Sequence, residues 1–97
     1  MRLTISWSSE AIDDYADNID YLLKEWSFKD AEEFVDNATE IIHIISLMPE
    51  TFPMSDYKNI RKAVVCKQIS LLYITNESEV ILLRFWNNSQ NPKDLLL

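Results

Sequence analysis

Between residues 59 and 86, three apolar runs rich in β-branched and aromatic side chains follow one another with two and then three polar residues between them. The runs cover 59–66, 69–75 and 79–86, and the breaks are Lys67-Gln68 and Asn76-Glu77-Ser78. Connections this short join antiparallel neighbours, because a parallel pair needs a crossover of roughly a dozen residues or more. The stretch therefore predicts an antiparallel meander. Glycine is absent from the whole chain. Tight turns must then be made by Asn, Asp, Ser or Pro, and neither a glycine-rich phosphate loop nor a dinucleotide fingerprint can exist.

The first half has a different period. Residues 2–7 alternate around Leu3, Ile5 and Trp7 and predict a short first strand. Ser8 is placed to cap a helix, with Trp7 before it and Ile12 inside it as a hydrophobic staple. Ala11, Ile12, Tyr15, Ile19, Leu22, Leu23 and Trp26 then recur at helical spacing. Asp13, Asp14, Asp17 and Asp20 lie between them and read as a solvated face. Ser27-Phe28-Lys29-Asp30 opens a second helix with the loose form of a capping box, and Pro49 closes it. Its stripe is Ala31, Phe34, Val35, Ala38, Ile41, Ile42, Ile45 and Met48. The join at Trp26-Ser27 allows only an antiparallel helical hairpin. Residues 49–59 hold Pro49 and Pro53 without a period and predict a loop, with room for a short helical turn.

At 97 residues the chain is expected to form a single domain, residues 1–97, with a core of its own. No apolar run reaches bilayer-spanning length and the N-terminus lacks signal-peptide features, so a cytoplasmic protein with no membrane partner is expected. Cys66 stands alone, which fits a reducing compartment and a small buried apolar role. His43 is the one histidine and reads as a helix-surface or satisfied core residue. Nothing has the spacing of a metal site, and no cofactor is implied. The net charge of −7 is uneven. Residues 1–57 carry 3 basic and 13 acidic side chains, net −10, whereas residues 58–97 carry 6 and 3, net +3. A chain of this balance is not expected to bind nucleic acid strongly.

The element order is thus β-α-α-β-β-β, an α+β fold with the helical hairpin on one face of a small, mostly antiparallel four-stranded sheet. On the last strand Ile81, Leu83 and Phe85 are expected to meet the helices, leaving Val80, Leu82, Arg84 and Trp86 on the other side. Arg61, Lys67, Leu72 and Ile74, with Ser70 between them, are assigned to that outer face. It is apolar enough to require a covering partner.

These residues resemble the RelE/ParE superfamily, the toxins of bacterial type II toxin–antitoxin modules, also known as plasmid stabilisation proteins. The likeness rests on Trp7-Ser8-Ser9-Glu10-Ala11, the helical pair, Leu47-Met48-Pro49, Ile60-Arg61-Lys62, Leu71-Leu72-Tyr73-Ile74 and Ile81-Leu82-Leu83-Arg84-Phe85-Trp86. The ending Asn87-Asn88-Ser89-Gln90-Asn91-Pro92 is similar to that of a subgroup closing on Arg-Gln-Asn-Pro. The resemblance implies a growth-inhibiting toxin neutralised by a cognate antitoxin. RelE-like members cut messenger RNA on the ribosome with Lys and Arg side chains of the sheet; ParE-like members poison DNA gyrase.

Against the nuclease pattern, a central arginine falls on Ser70 and a second on Ser89. Of a lysine pair, one member falls on Arg61 and the other on Ala63. The C-terminal Tyr or His of several nucleases has no counterpart in Lys93-Asp94-Leu95-Leu96-Leu97. RNA cleavage needs a base, an acid and cations on the phosphate. Losing one preorganised charge-stabilising group costs about 10²–10³ in rate. A ParE-like toxin is therefore the expectation. A ribosome-dependent endoribonuclease is the alternative, with Arg61 and Arg84 as catalytic candidates. A degenerate, non-toxic binding member is the second alternative. The surface expected to meet antitoxin or target is Arg61, Lys62, Lys67, Leu72, Ile74, Leu82, Arg84, Trp86, Asn88 and Gln90. Plainer readings stand beside these: Arg61 and Arg84 as surface ion pairs, Lys62 as a solvated strand residue, and Trp86 as a core cap rather than an exposed anchor.

Overall fold

The computed structural model describes residues 2–90 and 95. Its elements are β1 (Thr4–Trp7), α1 (Ser9–Glu25), α2 (Phe28–Leu47), β2 (Arg61–Val64), β3 (Ile69–Thr75) and β4 (Glu79–Asn87). The order is the expected β-α-α-β-β-β. Residues 91–94, 96 and 97, which hold Asn91-Pro92 and most of the closing tail discussed above, lie outside the described residues.

Both helices start where the capping chemistry places them. Ser8 Oγ accepts from the Ala11 N–H at 3.0 Å, and Ser27 Oγ accepts from the Asp30 N–H at 3.1 Å. The staple takes a different form: Trp7 packs its ring on Tyr15 and Phe85, while Ile12 stays exposed. No part of residues 49–59 is helical. The loop is tied down by its own backbone and by Ser55, whose Oγ donates to the Ile60 carbonyl at 2.7 Å. Just before β2, Asn59 sits at φ 64°, the left-handed region that a chain without glycine assigns to Asn. Among the described residues, no helix is long and apolar enough to cross a membrane.

The four strands form one sheet in the order β1-β4-β3-β2. β2–β3 and β3–β4 are antiparallel, and β1 lies parallel to β4 with Ile5 opposite Val80 and Trp7 opposite Leu82. The hairpin covers one face. Leu22, Phe34 and Ile45 from the helices are buried against Ala63, Leu71, Tyr73, Leu82 and Phe85 from the sheet. Phe85 is the hub, with ring centroids of Trp7, Tyr15 and Phe34 at 5.3, 5.3 and 5.9 Å. Aromatic pairs of this kind contribute about 0.5–1.5 kcal/mol each beyond their buried area.

A β-bulge corrects the expected facing of β4. Leu72 pairs with Arg84 while Tyr73 pairs with Leu82, so Leu83 is an extra residue on the β4 side. One inserted residue reverses the alternation before it. Val80 and Leu82 therefore join Phe85 in the core beneath the helices, and Ile81 and Leu83 turn to the outer face. Arg84 and Trp86 lie beyond the insertion and keep the outer placement expected of them. The same register corrects Arg61: it stands opposite the core residue Tyr73, on the helix side, and Lys62 opposite Leu72 takes the outer position.

Candidate functional site

Ser70, Leu72 and Trp86 form the floor of a cleft of about 200 Å³ on the outer face of the sheet. β3 and β4 bring these three together because Ser70 pairs directly with Trp86. Lys62 on β2 lines it, and the folded-over loop contributes Ser55, Asp56 and Tyr57. Asn88 and Gln90, just past β4, lie on the opposite side with Leu95. Asn88 Nδ2 reaches Ser70 Oγ at a long 3.5 Å. Asn87 fixes this corner, since its Oδ1 accepts from both the N–H and the Oγ of Ser89, at 2.9 and 2.7 Å.

The floor is more covered than an open apolar face would be. Leu72 and Trp86 are only 3% and 7% exposed, packed with Ile60 and flanked by Ile74, Leu83 and Leu95. Trp86 is thus a buried member of a small second cluster, which corrects the exposed-anchor reading. The cleft presents its polar rim beside a comparable share of apolar surface.

The ten residues assigned to binding divide. Lys62, Leu72, Trp86, Asn88 and Gln90 come together at the cleft. Ile74 belongs to the cluster beneath it, and Lys67 is exposed in the β2–β3 turn. Leu82 is fully buried in the core under the helices, so it offers no surface. Arg61 donates from Nη1 to the Phe52 carbonyl at 2.7 Å and so anchors the preceding loop.

Arg84 lies on the outer side with its guanidinium carbon 5.4 Å from the Trp86 ring centre. Its Nε and Nη2 donate to Asp14 Oδ2 and Oδ1 at 2.6 and 3.1 Å, a two-pronged ion pair. That hydrogen bonding, opposed by burial, raises the Arg84 pKa above the ordinary arginine value. Of the acidic run, Asp14 is therefore not a solvated residue.

Sequence reasoning missed why Asp14 is there. β1 ends at Trp7, so the following part of β4 has no strand beside it on that side. The start of the helical hairpin takes over. The Ser8 N–H donates to the Leu82 carbonyl at 3.0 Å, and Ser8 Oγ donates to the Leu83 carbonyl at 2.8 Å. The Phe85 N–H donates to Asp14 Oδ2 at 3.1 Å, and Asn18 Nδ2 donates to the Phe85 carbonyl at 2.8 Å. Side chains of α1 thus satisfy an otherwise open strand edge. Asn18 carried a readable signal: it falls on the buried stripe of Ala11 and Leu22, where a polar side chain needs a partner.

For chemistry, the arrangement is sparse. Among the described lining residues the one cation is Lys62, and Asp56 shares the cleft with it. Tyr73 is on the helix side, where its Oη donates to the Pro49 carbonyl at 2.8 Å. Burial raises its pKa, against the opposing effect of Arg61. A buried phenol held protonated and turned away from the cleft is not a base for a substrate bound there. The geometry suits recognition of a polar or peptide-like surface, with hydrogen bonds from Asn88, Gln90 and Lys62.

No family model matches the sequence, and no curated protein matches it. Solved structures do. One is the chromosomal ParDE TA system from P. aeruginosa, at 15% identity and a TM-score of 0.74, covering 89% of this chain and 96% of that one. Another is the YoeB dimer from Staphylococcus aureus, at 15% and 0.63, covering 88% and 95%. A third is the E. coli DinJ-YafQ toxin-antitoxin complex, at 12% and 0.61, covering 92% and 96%. The chain has the fold of these ParE, YoeB and YafQ structures over almost their whole length. The resemblance read from the sequence holds at the level of fold.

Proposed function

We propose that this chain is a single-domain cytoplasmic toxin of a type II toxin–antitoxin module in the RelE/ParE superfamily, acting in the ParE manner on a protein target such as DNA gyrase. Fold likeness to toxins that include ParDE and DinJ-YafQ assemblies supports the toxin reading and a cognate antitoxin as partner. The ParE-like choice is carried by one observation: among the described residues, the outer cleft has no cluster of cations. Arg61 is turned to the helix side, Arg84 is held by Asp14, and Lys62 shares its cleft with Asp56. Phosphoryl chemistry needs several preorganised charges around one phosphate, and each one missing costs orders of magnitude. The antitoxin is expected to cover the outer face across Lys62, Asn88 and Gln90.

A second reading has its own observation. Lys62, Asn88 and Gln90 around the Trp86 floor could hold an unstacked RNA base on the ribosome, as single-stranded RNA is read by stacking and edge hydrogen bonds.

The test is induction of the chain alone and together with the open reading frame beside its gene. Growth arrest in the first case and rescue in the second are expected; normal growth without the partner overturns the toxin reading and favours a degenerate binding member. Purified protein is then assayed for inhibition of gyrase supercoiling and for cleavage of ribosome-programmed mRNA. Supercoiling inhibition supports the ParE-like reading. Cleavage abolished by Lys62→Ala or Arg61→Ala, in variants that remain folded, overturns it.

A further inference from the structure

The helical hairpin carries a second surface, on the side of the molecule away from the cleft. Ile19 and Leu23 of α1 and Phe28, Ala31 and Val35 of α2 line a groove of about 260 Å³, bordered by Glu32 and Asp36. Its most exposed apolar residues flank the hairpin turn: Leu23 and Phe28 are 47% and 72% exposed, and Trp26 in the turn between them, outside the groove lining, is 51% exposed. Leu23, Trp26 and Phe28 stand outside the core, whose buried members from α1 and α2 are Ala11, Leu22, Ala31, Phe34, Ala38 and Ile45, with Ile19 and Val35 packed partly buried against them. Isolated exposed apolar residues are ordinary, whereas a contiguous set rimmed by charge marks a contact surface.

The charge around the groove selects the occupant. α1 and α2 together carry 11 acidic and 2 basic side chains, net −9. A second copy docking through the same groove would bring Glu32 and Asp36 against their own counterparts, and an anionic bilayer would be repelled as well. We propose that the groove docks an amphipathic polypeptide helix whose apolar ridge is flanked by Lys and Arg. Its ridge would lie on Leu23, Phe28 and Val35 at helical spacing, and its cations would face Glu32 and Asp36. This surface is separate from the cleft, and the inference does not rest on the toxin reading.

The test uses the full chain and three fluorescent designed peptides: an amphipathic Leu/Lys helix, the same pattern in Leu/Glu, and a Ser/Lys peptide of equal charge. Saturable anisotropy is expected with Leu/Lys, and affinity at least about tenfold weaker with the other two. The double variant Leu23→Ser with Phe28→Ser alters exposed positions and no charge, and should lose about tenfold for Leu/Lys with an unchanged circular dichroism spectrum. Glu32→Lys with Asp36→Lys should shift preference towards Leu/Glu. Equal binding of Ser/Lys, or full affinity in the double serine variant, would reduce the effect to bulk charge and overturn the proposal. Dimerisation lost in Phe28→Ser by sedimentation, or binding to phosphatidylglycerol vesicles through Phe28, would assign the groove to another occupant and overturn it too.

Discussion

Both oxygens of Asp14 are engaged at once, by the Arg84 guanidinium and by the Phe85 N–H. Side chains of the pair are 15% and 17% exposed, so solvent screens them only partly. Asp14→Ala removes one charge and leaves a strand N–H unpaired. Unfolding by urea should show a loss of about 2 kcal/mol, a part-buried value below that of a fully buried pair. Asp13→Ala, at an exposed site one residue away, should change little. A loss no larger for Asp14 than for Asp13 would sink this account of the strand edge. The raised Arg84 pKa means its protonated form is favoured in the folded state. That contribution is complete below the unfolded value and is lost only as pH rises through the folded one, both far above neutrality, so Arg84 itself introduces no pH dependence there. None of this was legible in the Asp13-Asp14-Asp17-Asp20 run, because four identical carboxylates differ only in what the fold sets opposite them. Among the basic candidates, Lys62 reached the cleft and Arg61 did not, since their facing depends on pairing register and not on residue type.

At the scale of elements, helix starts were legible and strand facing was not. Ser8 and Ser27 declare themselves through contacts within three residues, whereas the alternation of β4 depends on an insertion at Leu83. An apolar run such as Val80-Ile81-Leu82-Leu83 carries no parity of its own, so nothing in it marks the insertion. Two substitutions of the same chemistry separate the readings. Leu82→Ala should cost about 3 kcal/mol, as a fully buried leucine does, and Leu83→Ala about 1 kcal/mol or less. Denaturant midpoints of the two variants measured side by side check this; a larger loss at Leu83 would restore the regular strand. The outer face was read as apolar and in need of a covering partner; part of its cover comes from the chain itself, because Ile60 and Leu95 pack on Leu72 and Trp86 from outside the strands.

Taken whole, the molecule holds its acidity on one layer. The hairpin at net −9 lies over a sheet half that is mildly basic, and the elements were placed in the expected order on the expected sides. Crowded like charges repel in the folded state, and salt screens them over about 10 Å at 0.1 M. The melting temperature should therefore rise as salt increases from about 0.01 to 0.15 M. The substitution Glu33→Gln, at an exposed α2 position, should raise it slightly at low salt and lose that advantage at high salt. Differential scanning fluorimetry across the series decides it, and a melting temperature that falls with salt would mean attraction outweighs repulsion.

The parallel pairing of β1 with β4 brings Thr4 beside Glu79 and Trp7 beside Leu82, partners from opposite ends of the described chain. During synthesis, which runs from the N-terminus, β1 and both helices leave the ribosome while the strand that completes their packing has yet to be made. Long-range pairing of this kind is slow to form and leaves greasy surface uncovered in the meantime. Until β4 is made, the rings of Trp7, Tyr15 and Phe34 lack the Phe85 hub on which they converge. A pause in translation between the helices and the last strand is thus the moment at which the nascent protein is most exposed to chaperones, proteases and aggregation.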